Sequence, residues 1–514
     1  MTQISQPDVT VNIVGANEAV ANSDHQVLFV GQQTSGSATS GDLQQNIQDD
    51  NSWDTLFGAN SQLAGMIRDF RAINKATQID AIGLDDNGSG VAATGNVTFT
   101  GTATEDGELE IIVGSERNFS FTIAVSDTDT ATDVGAALET ALNANANLPV
   151  TAANTTGDVE LTADNDGTVA NFIGLQVKGS VAGISVALTA MSGGSVDPTL
   201  TGVFDVVGDK RYQTVVWPYD AVTELTGFLD PRFNVDNDVL DGVGVYVKTD
   251  TLANTLSYLS ALNSQSLAVG CDQTIDLADH KGPAQMEIPY SKAAQVGAVR
   301  SLRLTADASI AQIVSSSNGP LDSFGGPAIA SKPYFNTLMS RLPIIDVNKG
   351  WTSSQIEQIK DAGGFVIGNN TARNSSILGE VVTTYKTDNA GNPDVSFTFL
   401  NYVDTSSNAR EYFVNNLKAK YAQTRLTEGD LVAGRDIANA TSISGFLDQL
   451  YADLSGPDFV LTQNGEAALR FFKANRTVTL DLSEGKATIT MQVPIVTQLR
   501  TIIATMHIAF STAG

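Results

Sequence analysis

The sequence predicts a multidomain protein of the α/β and α+β classes, with mixed β-sheets flanked by helices, an inserted β-rich domain and extended N- and C-terminal strand arms. The first observation is length, because 514 residues correspond to three or four domains of about 150 residues. The second is a regular alternation of strands and helices over residues 201–275. The third is an abrupt loss of basic residues between residues 93 and 199.

The main sheet is predicted from short apolar strands that alternate with helices. VLFVGQ at 27–32 precedes an amphipathic helix within 61–74 and a second strand, QIDAIGL, at 78–84. Further strands follow at 212–220, 242–250 and 266–272, with helices between them. Strand–helix alternation of this kind favours parallel βαβ units.

An acidic insertion interrupts this pattern. Residues 93–199 contain two basic and fourteen acidic residues, a net charge of −12 out of −28 for the whole chain. The segment follows a Gly-rich hinge at 85–92, and its patterning predicts two strands, a helix and two more strands. We expect a compact domain on the outer surface, because its charge repels like-charged neighbours.

The C-terminal third is predicted to combine helices with a hairpin. Ser354 and Glu357 have the spacing of a capping box, and residues 408–426 form an amphipathic pattern rich in aromatic residues. Apolar residues then alternate over 478–482 and 487–493 on either side of a Ser-Glu-Gly turn. Residues 401–514 carry ten basic and eleven acidic residues, a near-neutral balance typical of a region that packs against partners.

Both ends of the chain carry an isolated strand pattern. The alternating apolar residues are Val9, Val11 and Ile13 in one arm, and Ile502, Met506 and Ile508 in the other. An exposed apolar strand is an aggregation hazard unless a partner covers it. We therefore expect both arms to pair with a sheet that contains the 476–493 hairpin, at least one of them in a neighbouring subunit.

Several function classes are excluded or weakened by composition. A net charge of −28 opposes direct nucleic-acid binding, because attraction to phosphate needs basic residues. A single cysteine, Cys271, excludes internal disulfides and cysteine-based zinc sites, and three scattered histidines do not suggest a metal centre. The chain has no phosphate-binding loop, HExxH or GxSxG motif. We expect no catalytic, cofactor-binding or metal-binding residues.

One acidic stretch, DNDGT at 164–168, resembles part of a calcium loop. Asp164, Asp166 and Gly167 match the third, fifth and sixth loop positions, but Ile173 stands at the twelfth, where glutamate is required. A solvated turn is the better interpretation. The first residues show no basic or apolar signal region, so we expect no Sec export and no membrane insertion.

These observations divide the chain into five parts. We predict an N-terminal arm at 1–25, a discontinuous α/β middle domain at 26–92 with 200–375, an inserted outer domain at 93–199, a C-terminal domain at 376–493 and a C-terminal arm at 494–514.

Five segments also form a specific series, VLFVGQ (27–32), FGANSQLAGMIRDFRAIN (57–74), RYQTVVWPYD (211–220), TLSYLSALNSQS (255–266) and the stretch 342–426. The last contains VVTTYKTDNAGNPD followed by an aromatic-bearing helix. The order of these segments resembles the contractile tail sheath proteins of myophages, in particular the Mu-like branch. The resemblance covers nearly the whole chain except 93–199, and no single motif in it is diagnostic.

The resemblance implies a structural protein of the virion, assembled in the host cytoplasm, that is not an enzyme. Subunits of this family stack as hexameric rings in a helical homo-oligomer around a tail tube protein, between baseplate and tail terminator proteins. Their arms exchange strands between neighbours, the C-terminal domain faces the tube and inserted domains project outwards. Contraction of a metastable extended sheath drives the tube through the host envelope.

Three other functions are consistent with parts of the sequence. The sheath of a phage-derived bacteriocin or injection system has the same sequence character. An α/β enzyme or ligand-binding protein built on residues 201–275 is opposed by the missing phosphate loop. A secreted acidic adhesin is opposed by the missing export signal.

Overall fold

A computed structural model describes residues 25–48, 52–233, 239–273, 286–305, 334, 337–345, 350–370, 375–432, 435–456 and 462–495. The predicted arm residues Val9, Val11, Ile13, Ile502, Met506 and Ile508 lie outside these described residues. The expected class is confirmed, because several sheets, both parallel and antiparallel, are flanked by helices.

The first part of the main body has five elements. They are β1 (Gln26–Gln32), β2 (Leu43–Gln44), α1 (Ser52–Phe57), α2 (Gln62–Arg71) and β3 (Gln78–Leu84). The side chains from Val27 to Val30 are fully buried, as a strand covered on both faces of a parallel sheet requires. Helix α2 begins where the Ser61 hydroxyl accepts a hydrogen bond from the Ala64 amide at 3.1 Å, which satisfies a free helix donor.

The acidic segment forms two antiparallel sheets and a helix. Its elements are β4 (Ala92–Gly101), β5 (Gly107–Val113), β6 (Ser120–Val125), α3 (Ala131–Asn143), β7 (Val150–Thr155), β8 (Asp158–Asp166), β9 (Leu175–Lys178) and β10 (Ile184–Ser192). One sheet has the order β10-β4-β8-β7 and the other β6-β5-β9. The chain enters through β4 and leaves through β10, and these two strands pair with each other. The domain boundaries at 93 and 199 themselves stay a prediction.

The chain then returns to the main body. The elements are β11 (Thr214–Val216), α4 (Thr223–Leu229), β12 (Val243–Asp250), α5 (Leu252–Ser260), β13 (Leu267–Gln273) and α6 (Pro289–Thr305). The main sheet has the order β15-β13-β12-β11-β1-β3-β2 once β15 (Gly364–Phe365) is added. All neighbouring pairs are parallel except β2 with β3, so the predicted parallel βαβ units are confirmed.

A short region joins the main body to the C-terminal part. It contains β14 (Thr337–Leu338), α7 (Ser353–Asp361), β15, β16 (Ile367–Asn370) and β17 (Ser375–Leu378). The predicted capping box at Ser354 and Glu357 is wrong by two residues. Thr352 is the N-cap, and its hydroxyl and backbone N–H exchange hydrogen bonds with Gln355. Thr352–Gln355 and Ser354–Glu357 both fit the capping-box pattern of Ser or Thr followed three residues later by Glu or Gln, so spacing alone did not distinguish them.

The C-terminal part contains the longest described helix and the hairpin. Its elements are α8 (Leu400–Tyr421), β18 (Arg425–Leu426), β19 (Ile437–Ala438), α9 (Ala440–Leu454), α10 (Glu466–Ala474), β20 (Arg476–Asp481) and β21 (Lys486–Met491). The hairpin is confirmed, with Val478 opposite Ile489 and Leu480 opposite Ala487. Helix α8 begins at Leu400, eight residues before the predicted helix.

Two hydrophobic cores lie along the chain. The larger joins the main body and the acidic segment and extends to Leu400 and Val403 at the start of α8. The smaller contains Ala409 and Phe413 from the rest of α8, together with side chains from α9 and α10. Helix α8 is therefore a single rigid element shared by both cores. No helix within the described ranges is both long and apolar enough to cross a bilayer.

Candidate assembly surfaces

The hairpin β20–β21 is a two-stranded sheet whose outer edges have no ladder partner among the described residues. One face is apolar and half-buried against the smaller core, through Val478, Leu480 and Ile489. The opposite face carries exposed threonines, among them Thr477 and Thr488. A two-stranded ribbon is marginal alone, and a free edge offers unpaired backbone N–H and C=O groups to another strand.

The chain leaves this hairpin at a defined place. The Gln463 amide donates to the Pro494 carbonyl at 2.8 Å, and the Gln463 side-chain amide donates to the Ile495 carbonyl at 3.1 Å. Thr462 and Ile495 form an antiparallel bridge. The first two residues of the predicted C-terminal arm therefore lie beside the 462–463 segment, in the same part of the molecule as the open hairpin edges.

An aromatic cluster holds the hairpin and helices together. The Phe472 ring is fully buried and stacks on Tyr451 with ring centroids 4.5 Å apart, while Phe413 lies at 6.5 Å. Arg476 at the start of β20 pairs with Asp448 on α9. Phe471, the neighbour of Phe472 on α10, is 47% exposed and faces away from this cluster. The smaller core is thus built around one buried aromatic residue of α10.

A polar seam fixes helix α8 to the main body. The Arg300 guanidinium of α6 donates to the Asp404 carboxylate at 2.6 Å, and both side chains are at most 4% exposed. The Tyr334 hydroxyl donates to the same carboxylate at 2.5 Å. One and two turns further along α8, Ser407 and Arg410 donate to Asp241, at 2.7 and 3.1 Å.

The contacts of this seam require one face of α8 to point at the main body. Residues 404, 407 and 410 share one face of the helix, because three-residue steps bring side chains above one another. A buried ion pair contributes little net stability, but loss of one partner leaves an uncompensated buried charge. The seam therefore determines how α8 lies against the body. The sequence pattern did not indicate this seam, because Asp404 and Ser407 precede the predicted helix pattern at 408–426.

The acidic segment is also docked onto the body, and not only joined to it by strands. Near its base, the Asn165 side-chain amide donates to the Gln33 carbonyl at 2.9 Å, and the Gln62 backbone amide donates to the Asn165 side-chain oxygen at 2.9 Å. At a second place, the Asn118 side-chain amide donates to Asp69 at 3.0 Å and the Ser115 hydroxyl to Glu287 at 2.9 Å. No sequence signal indicated these contacts.

The acidic stretch predicted to be a solvated turn instead lies mainly on strand β8, so that prediction is wrong. Asp164 accepts hydrogen bonds from Thr151 at 2.7 Å and from Asn60 at 2.9 Å, and burial raises the pKa of its carboxyl group. Within the described ranges, no three His, Cys, Asp or Glu side chains are grouped to hold a metal ion. Cys271 is buried in β13, and burial raises the pKa of its thiol.

Comparisons with known proteins confirm the resemblance to tail sheath proteins. The chain is 27% identical over 268 residues to the Mu-like prophage FluMu tail sheath protein of Haemophilus influenzae (strain ATCC 51907 / DSM 11121 / KW20 / Rd), a match over 50% of this chain and 53% of that protein. The matched region thus spans about half the length of that curated relative. No family profile matches the chain.

Two solved structures show an overall likeness. A sheath tail protein from Desulfitobacterium hafniense aligns with a TM-score of 0.45 and 12% identity, over 95% of this chain and 100% of that one. A chain of the anti-feeding prophage baseplate aligns with a TM-score of 0.46 and 11% identity, over 99% and 100%.

Proposed function

We propose that this chain is the structural subunit of a contractile phage tail sheath, which polymerises around the tail tube and contracts to drive the tube through the host envelope. The observation that carries the proposal is the match of 27% identity over 268 residues to a Mu-like prophage tail sheath protein. The role is structural and not enzymatic. It places the protein in the virion tail, after assembly in the host cytoplasm.

The proposed assembly is a helical stack of hexameric rings. Its partners are copies of the same chain, the tail tube protein, and baseplate and tail terminator proteins, without direct nucleic-acid contact. The C-terminal domain, 376–493, faces the tube, and the inserted domain, 93–199, projects outwards. The charge distribution supports this orientation, because the near-neutral C-terminal region can pack closely whereas a segment of net charge −12 is favoured in solvent.

Strand exchange is the proposed link between subunits. The strand patterns around Val11 and Ile508 each offer several backbone hydrogen bonds to a sheet edge, at about 1 kcal/mol net apiece. The free edges of the β20–β21 hairpin, and the bridge of Ile495 to Thr462 shortly after β21 ends, support this pairing. One such contact is weak, but repetition across a lattice makes the assembly strong.

Contraction requires that the domains of each subunit move relative to neighbouring subunits without unfolding. The seam between Arg300 and Asp404 supports a subunit in which α8 transmits force between the two cores. Strands exchanged through the arms keep neighbours connected while the domains rotate and slide into a shorter, wider lattice.

The test is assembly of the purified chain, imaged by negative-stain microscopy. We expect the wild type to form tubes or rings. Val11→Pro, and truncation after Pro494, should give soluble subunits that do not polymerise, because the first removes an amide donor and the second removes a whole arm. Val11→Ala keeps the donor and is the matched control, which should still assemble.

Circular dichroism must show that each variant is folded as the wild type is. Ordered sheaths from the truncated, folded protein would contradict strand exchange through the C-terminal arm. Uniform small particles from the wild type, under all salt conditions that favour association, would contradict the sheath function itself.

A further inference from the structure

Two carboxyl groups are buried together where the inserted segment meets the main body. Asp69 lies on α2 and Glu287 lies just before α6, and they are only 6% and 4% exposed. The turn at 114–119 covers both, since Asn118 donates to Asp69 and Ser115 donates to Glu287, at 3.0 and 2.9 Å. The Glu116 amide also donates to the Met286 carbonyl at 3.0 Å, so the turn is held by its backbone as well.

The 114–119 turn packs closely against the residues that precede α6. Gly114 adopts a positive φ of 73°, and a Cβ atom there would lie 2.8 Å from the Ile288 side chain. Beside the turn, a cavity of about 250 Å³ is lined by Asp69, Arg68, Arg117 and Tyr290 among others. Asp69 lines this cavity and Glu287 is not among its lining residues, so the turn must lift before water can solvate both carboxyl groups.

The charges around the pair come from every element packed on it. Arg68 on α2 is engaged with Asp54 at 2.7 Å, and Lys292 on α6 pairs with Asp272 of β13. From the 337–345 segment, Arg341 donates to the Asn118 side chain at 3.3 Å. Arg117 lines the cavity, and Tyr290 and Asp164 lie nearby. On the turn itself, Glu116 pairs with Lys178 of β9 at 2.6 Å.

These surroundings favour one negative charge rather than two. Burial raises the pKa of Asp69, and the hydrogen bonds from Ser291 and Asn118 with the charges of Arg68 and Arg341 oppose that rise. Burial and then the charge of Asp69 raise the pKa of Glu287 well above its usual value. Two carboxylates confined in one site cannot both ionise without a large cost.

We propose that Asp69 and Glu287 form a proton-dependent latch, in which a proton retained by the pair keeps the inserted segment docked and loss of that proton releases the 114–119 turn. The latch belongs to the single subunit, so it does not depend on the proposed sheath function.

The direction of the pH effect follows from linkage. With the turn docked, the pair binds a proton more tightly than it does when the turn lifts and water solvates both groups. Docking is therefore strongest at low pH, where both states are protonated. It weakens as pH rises from the ordinary carboxyl range to the raised pKa of Glu287, by up to about tenfold per pH unit.

Amide hydrogen exchange of the full-length subunit tests the latch. Protection of residues 114–119, corrected for the intrinsic exchange rate, should fall in the wild type as pH rises above the ordinary carboxyl range of about pH 4. Glu287→Gln mimics the protonated acid and should hold the turn at all these pH values with no slope. Glu108→Gln removes an exposed carboxylate of the same segment and should keep the wild-type slope.

Unchanged protection of strand β12 shows that each variant is folded. Asp69→Asn, which removes the other member of the pair, should also flatten the slope and serves in place of Glu287→Gln if that variant fails to fold. The latch is overturned if the wild-type protection does not change with pH. It is equally overturned if the folded neutral variants keep the wild-type slope or lose docking at every pH.

Discussion

At the scale of single residues, burial decides the ionisation of His25. This residue immediately precedes β1. Its side chain is buried, at 6% exposed, and its Nε2 atom lies 3.5 Å from the Thr214 hydroxyl. Burial, then the positive charges of Arg300 and Arg211, lower its pKa well below the usual value. Arg300 is the same residue that pairs with Asp404, so an arginine of the seam that holds α8 adds to the effect of burial in lowering the pKa of this imidazole.

The first prediction is loss of stability of the main body in mild acid. A group whose pKa is lowered on folding is protonated first in the unfolded chain, so protonation favours unfolding. The free energy of unfolding should be independent of His25 above about pH 6.5, and should fall below it by up to about 1.4 kcal/mol per pH unit.

Urea unfolding followed by tryptophan fluorescence measures this, because Trp53 and Trp217 are buried in the main body. His25→Gln cannot take up the proton and should reduce the slope between about pH 5 and 6.5. The wild-type slope in a folded His25→Gln protein would show that another group is responsible.

At the scale of elements, α10 offers a matched pair of adjacent aromatic residues. Phe472→Ala should destabilise the smaller core by about 3–5 kcal/mol, because it leaves a cavity beside Tyr451 and Phe413. Phe471→Ala removes a ring that is 47% exposed and should change stability by less than about 0.5 kcal/mol.

Hydrogen exchange in α9 reports this difference, and the unfolding midpoint by tryptophan fluorescence should stay unchanged, since the tryptophans Trp53, Trp217 and Trp351 belong to the larger core. Equal effects of the two alanine variants on α9 would mean that Phe471 is covered by a contact absent from the single subunit. A large shift in tryptophan unfolding would mean that the two cores unfold together.

Elements with a strong pattern could be predicted from sequence. The run from Val27 to Val30 has no polar interruption, and the hairpin alternates strictly on both arms, so their type followed from periodicity. Strands β4, β7 and β10 were missed because their outward faces are Thr, Ser and Ala, which give weak alternation. The start of α8 was missed because Leu400 to Ser407 pack into a body whose partner strands are distant in sequence.

The assembly surfaces also include one part that the sequence pattern predicts and another part that it does not. The arms around Val11 and Ile508 were nominated from local alternation and stay a prediction, since they lie outside the described residues. The contacts of Asn118 with Asp69, 49 residues apart, and of Ser115 with Glu287, 172 apart, depend on the tertiary fold alone. Single polar residues in turns carry no pattern that would indicate such partners.

At the scale of the whole molecule, the inserted segment 93–199 is both the most charged part of the chain and a docked one. It contributes −12 to a net charge of −28, and without it 27 basic and 43 acidic residues leave −16. In a lattice of identical subunits, these charges repel one another over a distance of about 8 Å at physiological ionic strength. The insertion therefore opposes close packing unless it is spaced apart in solvent.

The last prediction is that deletion of 93–199, bridged by a short Gly-Ser linker, leaves a folded subunit that still assembles. Because the deletion lowers like-charge repulsion, tubes should form at a lower salt concentration than the wild type needs. The carboxyl groups of Asp69 and Glu287 lose their cover but gain water, so their burial penalty is relieved. Microscopy across a salt series, with far-UV circular dichroism for folding, measures both effects. Truncation after Pro494 in the same deletion background is the control, and it should abolish tubes whatever the salt. If the deletion alone abolishes tubes while the remaining sheets stay folded, the insertion is a structural contact of the lattice rather than an outward projection.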